Sequence, residues 1–477
     1  MNDFELISGV NTPAFSTPLS RKREKPARTG PPADSQVPSR PGWGRSSIRR
    51  SWLRSLISAA PVVLCPLVAV SCFITLTEFD GCLSKFIAAV HDDGAFAVFS
   101  AHRPHFSVKG TLLYICWVVL QAGLTRYLPG PIHTGQRTPA GHLLSYRTNG
   151  LRAWIITHAL YAGLCWVGFL DPGFVLRNWG GLVAAMNLTG YAVSAFAYLK
   201  AYSKPTHPND RKFSGSAAFD FYMGIELNPR IGEHFDLKLF TNGRPGLIAW
   251  TLVDISNIAY QYQVHHRVTP SIILVTVLHT IYVLDFFINE AWYLRTIDVT
   301  HDHYGFYLAW GCFTWVPTMY TLQTQYLALY PTAPSNLYLA IVFTTGLTGY
   351  ALFRSVNAQK DRARRTNGNC LIWGKPAEYI LARYTTSDGA QHTSILLCSG
   401  WWGWSRHANY VGDLLLSFSM CALVGRGAAM VWFYAAFMAT LLVHRCLRDE
   451  ERVSAKYGAA WETYRRRVPW RLVRGVW

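Results

Sequence analysis

The stretch Tyr282–Glu290, YVLDFFINE, sets a phenol, two carboxyls and a carboxamide inside a run apolar enough to cross a bilayer. An ionisable group at membrane depth is costly against lipid, so it faces a cavity or a partner. Tyr282, Asp285 and Asn289 are three and four positions apart and share one helix face. Glu290 is rotated onto a neighbouring face. Such a stripe serves either chemistry or hydrogen bonding between helices. Three further clusters lie near the C-terminus. Lys360, Arg362, Arg364 and Arg365 leave an apolar segment together. SGWWGWSRHANYVGDL follows over 399–414, and HRCLRDEERVSAKYGAAWETY over 444–464. Guanidinium and ammonium groups suit phosphates. Trp401, Trp402 and Trp404 offer faces for stacking, and Asp449, Glu450 and Glu451 accept from hydroxyl or amino groups. Brought to one side of a membrane, these clusters describe a nucleotide pocket without a dinucleotide fold, because the Gly-x-Gly-x-x-Gly turn between strand and helix is absent.

The elements that must carry these residues are membrane spans. The 477-residue chain is 50% hydrophobic and 14% aromatic but only 15% charged, against about a quarter charged in soluble chains. Runs of bridging length, about 20 residues, are expected at 56–77, 108–128, 151–170, 180–200, 246–264, 271–294, 305–329, 336–354, 410–425 and 428–446. The fold class expected is an all-α polytopic membrane protein of about ten spans. Residues 1–54 hold ten Lys/Arg against four Asp/Glu, and residues 357–477 hold 17 against eight. A basic excess beside spans marks the cytosolic side, so both termini are expected there, consistent with an even number of spans. The expected organisation is a disordered basic tail over 1–54, a transmembrane bundle over 55–356 and a C-terminal cofactor-binding region over 357–477. The basic charge flanks lipid, so membrane lipid, not nucleic acid, is the expected partner. The ten cysteines form no Cys-x-x-Cys pair, and His301 and His303 lack the clustering of a metal centre, so no metal is expected. A polar loop over 201–245 carries Asp220, Glu226, Arg230, Asp236, Lys238 and Arg244, with turn signals at Asn228-Pro229 and Asn242-Gly243. It reads as a packed interfacial loop or as a lid.

FDFYMGIELNPRIG (219–232) and LLVHRCLRDEERVSAKYGAAW (441–461) resemble the signatures of the sterol reductase family. TNGRPG, HDHYGFYLAWG, LIWGKP and SGWWGWSRHANYVGDL are most similar to its Δ7-reducing members. The likeness runs over roughly residues 105–477. It implies a C-terminal region that binds NADPH from the cytosol, in a multi-pass protein of the endoplasmic reticulum membrane that takes its sterol from the bilayer. Other sterol-biosynthesis enzymes are possible neighbours. Position by position, the resemblance implies cofactor contacts at Lys360, Arg364, Leu397, Trp402, Asn409, Tyr410, Arg445, Asp449, Val453, Ser454, Ala455, Lys456, Tyr457 and Tyr464. The family carries Cys where this chain has Val453. Tyr282 falls at the motif position of the proton donor, with Asp449 and Arg445 as its partners or as groups that orient the nicotinamide. Glu290 is the second candidate acid, because burial favours the neutral, proton-bearing carboxyl. The bond expected to be reduced is the Δ7 bond of 7-dehydrocholesterol, giving cholesterol. The competing readings are a Δ14 reductase, a membrane methyltransferase of the isoprenylcysteine type, suggested by Glu450-Glu451 and YRRRVP, and a non-catalytic sterol-binding scaffold.

Overall fold

A computed structural model describes residues 52–426 and 429–477. Apart from its last three positions, which are already helical, the expected tail over 1–54 lies outside the described residues. The described part is mostly helical. The elements that frame the site are α1 (Trp52–Glu78), α2 (Val108–Tyr127), α3 (Gly150–Trp166), α4 (Trp179–Ser203), α5 (Ala249–His265), α6 (Pro270–Ile288), α7 (Asn336–Arg365), strands β1 (Tyr379–Thr385) and β2 (Gln391–Leu397), α8 (Ala408–Ala422), α9 (Trp432–Tyr457) and α10 (Ala459–Arg467).

Six of the expected spans coincide with helices long and apolar enough to cross a membrane: α1, α2, α4, α6, α7 and α9. The other four are helical but short or interrupted. α3 and α5 have 17 residues each and α8 has 15. The 305–329 run is broken into pieces around a π-helical turn, Gly311–Trp315.

The Asn242-Gly243 turn signal is overridden. Asn242–Ile248 forms a π-helical segment that continues directly into α5. A π turn accommodates an extra residue per turn and is compatible with Pro245, which has no N–H to donate. Its neighbour Arg244 is anchored in the protein interior.

α7 shows how local sequence sets an element. The Ser335 hydroxyl accepts from the Tyr338 amide at 3.3 Å and caps the helix. Arg362, Arg364 and Arg365 occupy its last turn, where positive charge complements the helix dipole. The helix runs unbroken through the 356/357 boundary expected between membrane bundle and cofactor region. Beyond it the chain makes an antiparallel hairpin, Tyr379 opposite Leu397 through Thr385 opposite Gln391. α9 stops at Gly458, whose φ of +49° lets the chain turn sharply into α10.

The largest apolar core joins residues of α1, α6, α8 and α9 with Phe306, Trp310, Trp315 and Tyr326. α7 and α8 meet backbone to backbone: a Cβ at Gly349 would lie 2.7 Å from the Gly412 carbonyl oxygen, and one at Gly412 would lie 2.5 Å from that of Gly349. Small residues at such crossings let membrane helices approach closely. This contact fixes the register of α8 against α7, and with it the side chains that follow.

Candidate active site

A cavity of about 440 Å³ opens between α6, α7, the end of β2, the start of α8, and α9 with α10. Its lining residues fall into two sets, one apolar and aromatic, the other polar and charged. One part is lined by Leu247, Tyr282, Phe286, Val316, Tyr320, Met438, Leu441 and Leu442. The other is lined by Lys360, Arg364, Trp402, His407, Asn409, Tyr410, Arg445, Asp449, Arg452, Val453, Tyr457 and Tyr464.

In the apolar part, Tyr282 belongs to an aromatic cluster: its ring lies 5.6 Å from Trp250, Trp250 lies 5.1 Å from Tyr320, and Tyr320 lies 5.0 Å from Tyr434. Its hydroxyl has no hydrogen-bond partner among the described residues. Asp285, one turn on, accepts from the Tyr350 hydroxyl at 3.0 Å and pairs with Arg354 at 3.1 Å. Asn289 accepts from Arg354 at 3.3 Å. The polar stripe of α6 is thus divided: Tyr282 is free toward the cavity, while Asp285 and Asn289 tie α6 to α7.

Glu290 does not line the cavity. It is buried, ion-paired with Arg244 at 3.0 Å, and accepts from the Gly150 amide at 2.8 Å. The helix ends at Ile288, and Glu290 opens a separate short helix, Glu290–Tyr293, whose start directs the side chain to this anchor. A carboxylate held by a guanidinium and an amide is an acceptor, so the geometry makes Glu290 a structural ligand of Arg244.

The polar part is built on cations with little to neutralise them. The Lys360 ammonium lies 4.0 Å from the centre of the Trp402 ring, and no carboxylate pairs with it among the described residues. Trp402 is itself fixed by donating to the Val356 carbonyl at 2.9 Å. Arg364 makes no ion pair among the described residues, and its Nε is buried without a partner. Asn409 Oδ1 and His407 Nε2 are likewise buried and unpartnered. Burial pushes the His407 imidazole down to about 4, so a neutral ring stacks on Tyr410, with centres 5.3 Å apart. Arg445 pairs with Asp298, and Asp449 pairs with Arg452 at 2.7 Å. Arg448 grips both oxygens of Asp302 at 3.0 and 2.9 Å, locking the 297–302 segment against α9. Tyr464 donates to the Trp402 carbonyl at 3.2 Å.

Of the run 453–457, only Val453 and Tyr457 line the cavity. With Asp449 they fall on one face at i, i+4 and i+8. Ser454, Ala455 and Lys456 do not. Ala455 is exposed, Ser454 is half-buried, and the Lys456 ammonium sits 3.9 Å over the Tyr384 ring. Val453 packs with Ala382, Leu396, Cys398, Trp461 and Tyr464, a contact that needs volume and not a thiol. The sequence reading gave no role to Asp298, His407 or Asp413, all of which line the cavity. Asp413 carried a usable signal, being a carboxyl in an apolar run like Asp285.

The chain matches the Ergosterol biosynthesis ERG4/ERG24 family over residues 78–477, and it belongs to that family of sterol reductases. It is 42% identical over 476 residues to the 7-dehydrocholesterol reductase of Danio rerio, covering 96% of this chain and 98% of the relative. It is 47% identical over 385 residues to the 7-dehydrocholesterol reductase of Xenopus laevis, covering 78% and 81%. The Delta(14)-sterol reductase of Methylotuvimicrobium alcaliphilum is 36% identical over 428 residues, covering 89% and 94%. The protein is therefore an enzyme, an oxidoreductase of sterol biosynthesis. The methyltransferase reading falls, because the C-terminal stretch that prompted it lies within the family match, and the scaffold reading gives way to an enzyme, because the relatives matched over most of the chain are reductases.

Proposed function

We propose that this protein reduces the Δ7 double bond of 7-dehydrocholesterol with NADPH, by adding a proton and a hydride across the alkene. The observation that carries the cofactor assignment is the set of unneutralised donors at Lys360 and Arg364 beside unpartnered Asn409 and His407 atoms. Half-buried cations that face a cavity and have no paired carboxylate favour an anionic ligand. Phosphates match them in charge and in donor geometry, including the 2′-phosphate that separates NADPH from NADH. NADPH supplies the hydride when bound.

The chain's own residues do the rest. Lys360 and Arg364 hold phosphates, Trp402 and Tyr410 offer faces for stacking, and Asp449 with Arg445 orients the nicotinamide end. A sterol ring C=C bond, conjugated or not, is a poor electrophile toward hydride, so a proton must be delivered before or with the hydride. The Tyr282 hydroxyl, free and facing the cavity, holds that proton. The Trp250, Tyr320 and Tyr434 rings around it stabilise cationic character by their π faces. The apolar wall of Phe286, Met438, Leu441 and Leu442 excludes water and receives the sterol skeleton. On this reading the chain crosses the endoplasmic reticulum membrane ten times with both termini in the cytosol, and draws its sterol from the bilayer.

The Δ7 choice follows the 42% and 47% relatives. Reduction of a Δ14 bond is the second reading, favoured by the 36% relative. Feeding purified enzyme 7-dehydrocholesterol and a Δ14 sterol with NADPH, followed by mass spectrometry, tests both. The expected product is the Δ7-reduced sterol, and conversion of the Δ14 sterol alone overturns the assignment.

A further inference from the structure

Five carboxylates line the cavity, and four of them are committed. Asp285 holds Arg354 and the Tyr350 hydroxyl. Asp298 holds Arg445, Asp361 holds Arg295 and Arg365, and Asp449 holds Arg452. A carboxylate bound to a guanidinium stays ionised and has no proton to give. The fifth, Asp413, is 93% buried, since its exposure is 7%; its carbonyl accepts from the Ser417 hydroxyl at 2.9 Å, while its carboxyl makes no hydrogen bond or ion pair among the described residues. It lines the same cavity as Tyr282 and stands one turn beyond Asn409 and Tyr410 on α8, directly after the Gly412 contact.

We infer that Asp413 is the proton reserve behind Tyr282: a neutral carboxyl that restores the proton Tyr282 gives to the alkene. The inference rests on the reduction proposed above. It does not depend on which double bond is reduced. The chemical reason is charge crowding. If Asp413 were ionised, loss of the tyrosyl proton would leave two anions together in a low-dielectric cavity. A neutral Asp413 avoids this, because the charge ends on the carboxylate. In balance, the Tyr282 O–H bond breaks as a C–H bond forms at one alkene carbon. The neighbouring carbon receives the hydride that NADPH supplies. The Asp413 proton is relayed through cavity water to the Tyr282 oxygen, and the carboxylate regains a proton from water through the polar end of the cavity. Asp413 acts through Tyr282 and is a positioning residue, whereas Tyr282 meets the sterol.

The test uses full-length enzyme in lipid nanodiscs, with D413N, D413E, Y282F and the double variant Y282F/D413N. NADPH affinity is read separately by quenching of tryptophan fluorescence. For D413N, kcat is expected to fall at least about tenfold, in the range of a lost acid–base group, with the sterol KM and NADPH Kd within about twofold. D413E is expected to recover kcat to within about fivefold of wild type, and the double variant to be no slower than Y282F within about threefold, because the two residues act as one unit. A smaller kcat loss in D413N, an NADPH Kd raised about tenfold, or independent losses in the double variant overturns the inference. Should D413N fail to fold, D413E decides: retained turnover supports the role, and a loss beyond about tenfold sinks it. Failure of the functional reading looks different, because wild-type enzyme would then reduce no sterol with NADPH.

Discussion

Two parts of this molecule are rich in charge, and they treat it in opposite ways. Beneath the polar loop, each charge named here has an ion-pair or carbonyl partner supplied by the chain. Arg230 pairs with Asp236 at 3.4 Å and lies 4.3 Å over the Tyr146 ring, Lys200 pairs with Glu226 at 3.0 Å, and Arg244 pairs with Glu290 at 3.0 Å. Lys238 donates to the carbonyls of Asp298, Val299 and Asp302, and burial pushes its ammonium down to about 8. In the cavity the bookkeeping does not close. Lys360 and Arg364 lack anions, and Asp413 lacks a cation. Burial and charge density are common to both regions. What separates a scaffold from a ligand site is whether the partners come from the chain itself.

That contrast can be broken experimentally. The largest effect is expected in the closed region. Arg244→Ala strands Glu290 in the interior and should cost about 3–5 kcal/mol of stability. A melting temperature near wild type would show that the pair is dispensable. In the open region, Tyr282→Phe should leave the fold and NADPH binding intact while turnover falls about 100-fold or more. Near-normal turnover removes Tyr282 from the chemistry. Lys360→Ala and Arg364→Ala should each raise the KM for NADPH about tenfold or more with a smaller change in kcat. An unchanged KM takes the phosphates elsewhere.

The smallest effect concerns pH. His407 titrates at about 4 in the fold, against about 6.5 in an unfolded chain. Between these values the unfolded chain binds a proton that the folded chain refuses. The contribution is therefore complete above about pH 6.5 and drains as pH falls toward about 4. Melting temperatures of His407→Gln should show a shallower acid decline than wild type, and parallel curves would exclude the imidazole.

Much of the cavity was legible in advance because its residues sit in contiguous stretches. The segments at 360–364, 402–410 and 445–464 each present their chemistry within a turn or two. Helical periodicity could have trimmed 453–457 to Val453 and Tyr457. Hydropathy found the six long spans but overstated the regularity of 305–329, where tertiary packing favours short helices and a π turn over one continuous rod. Glu290 and Asp413 both stand out locally as carboxyls in apolar runs, but their fates depend on whether a distant arginine pairs with them. Arg244 pairs with Glu290, and no arginine forms an ion pair with Asp413 among the described residues. That distinction belongs to the tertiary structure alone.

The Gly349–Gly412 contact behaves like a gauge block between two tools. α7 carries Lys360 and Arg364, the proposed phosphate grip, and α8 carries Tyr410 and Asp413. With no side chain between the two backbones at that point, their spacing is set by the radii of main-chain atoms, which neither compress nor rotate. The distance from Lys360 and Arg364 to Asp413, the proposed cofactor grip and proton reserve, is thereby held by the backbone contact. The side chains of the apolar wall remain a free variable, so the choice of sterol bond can be retuned there without resetting the machine.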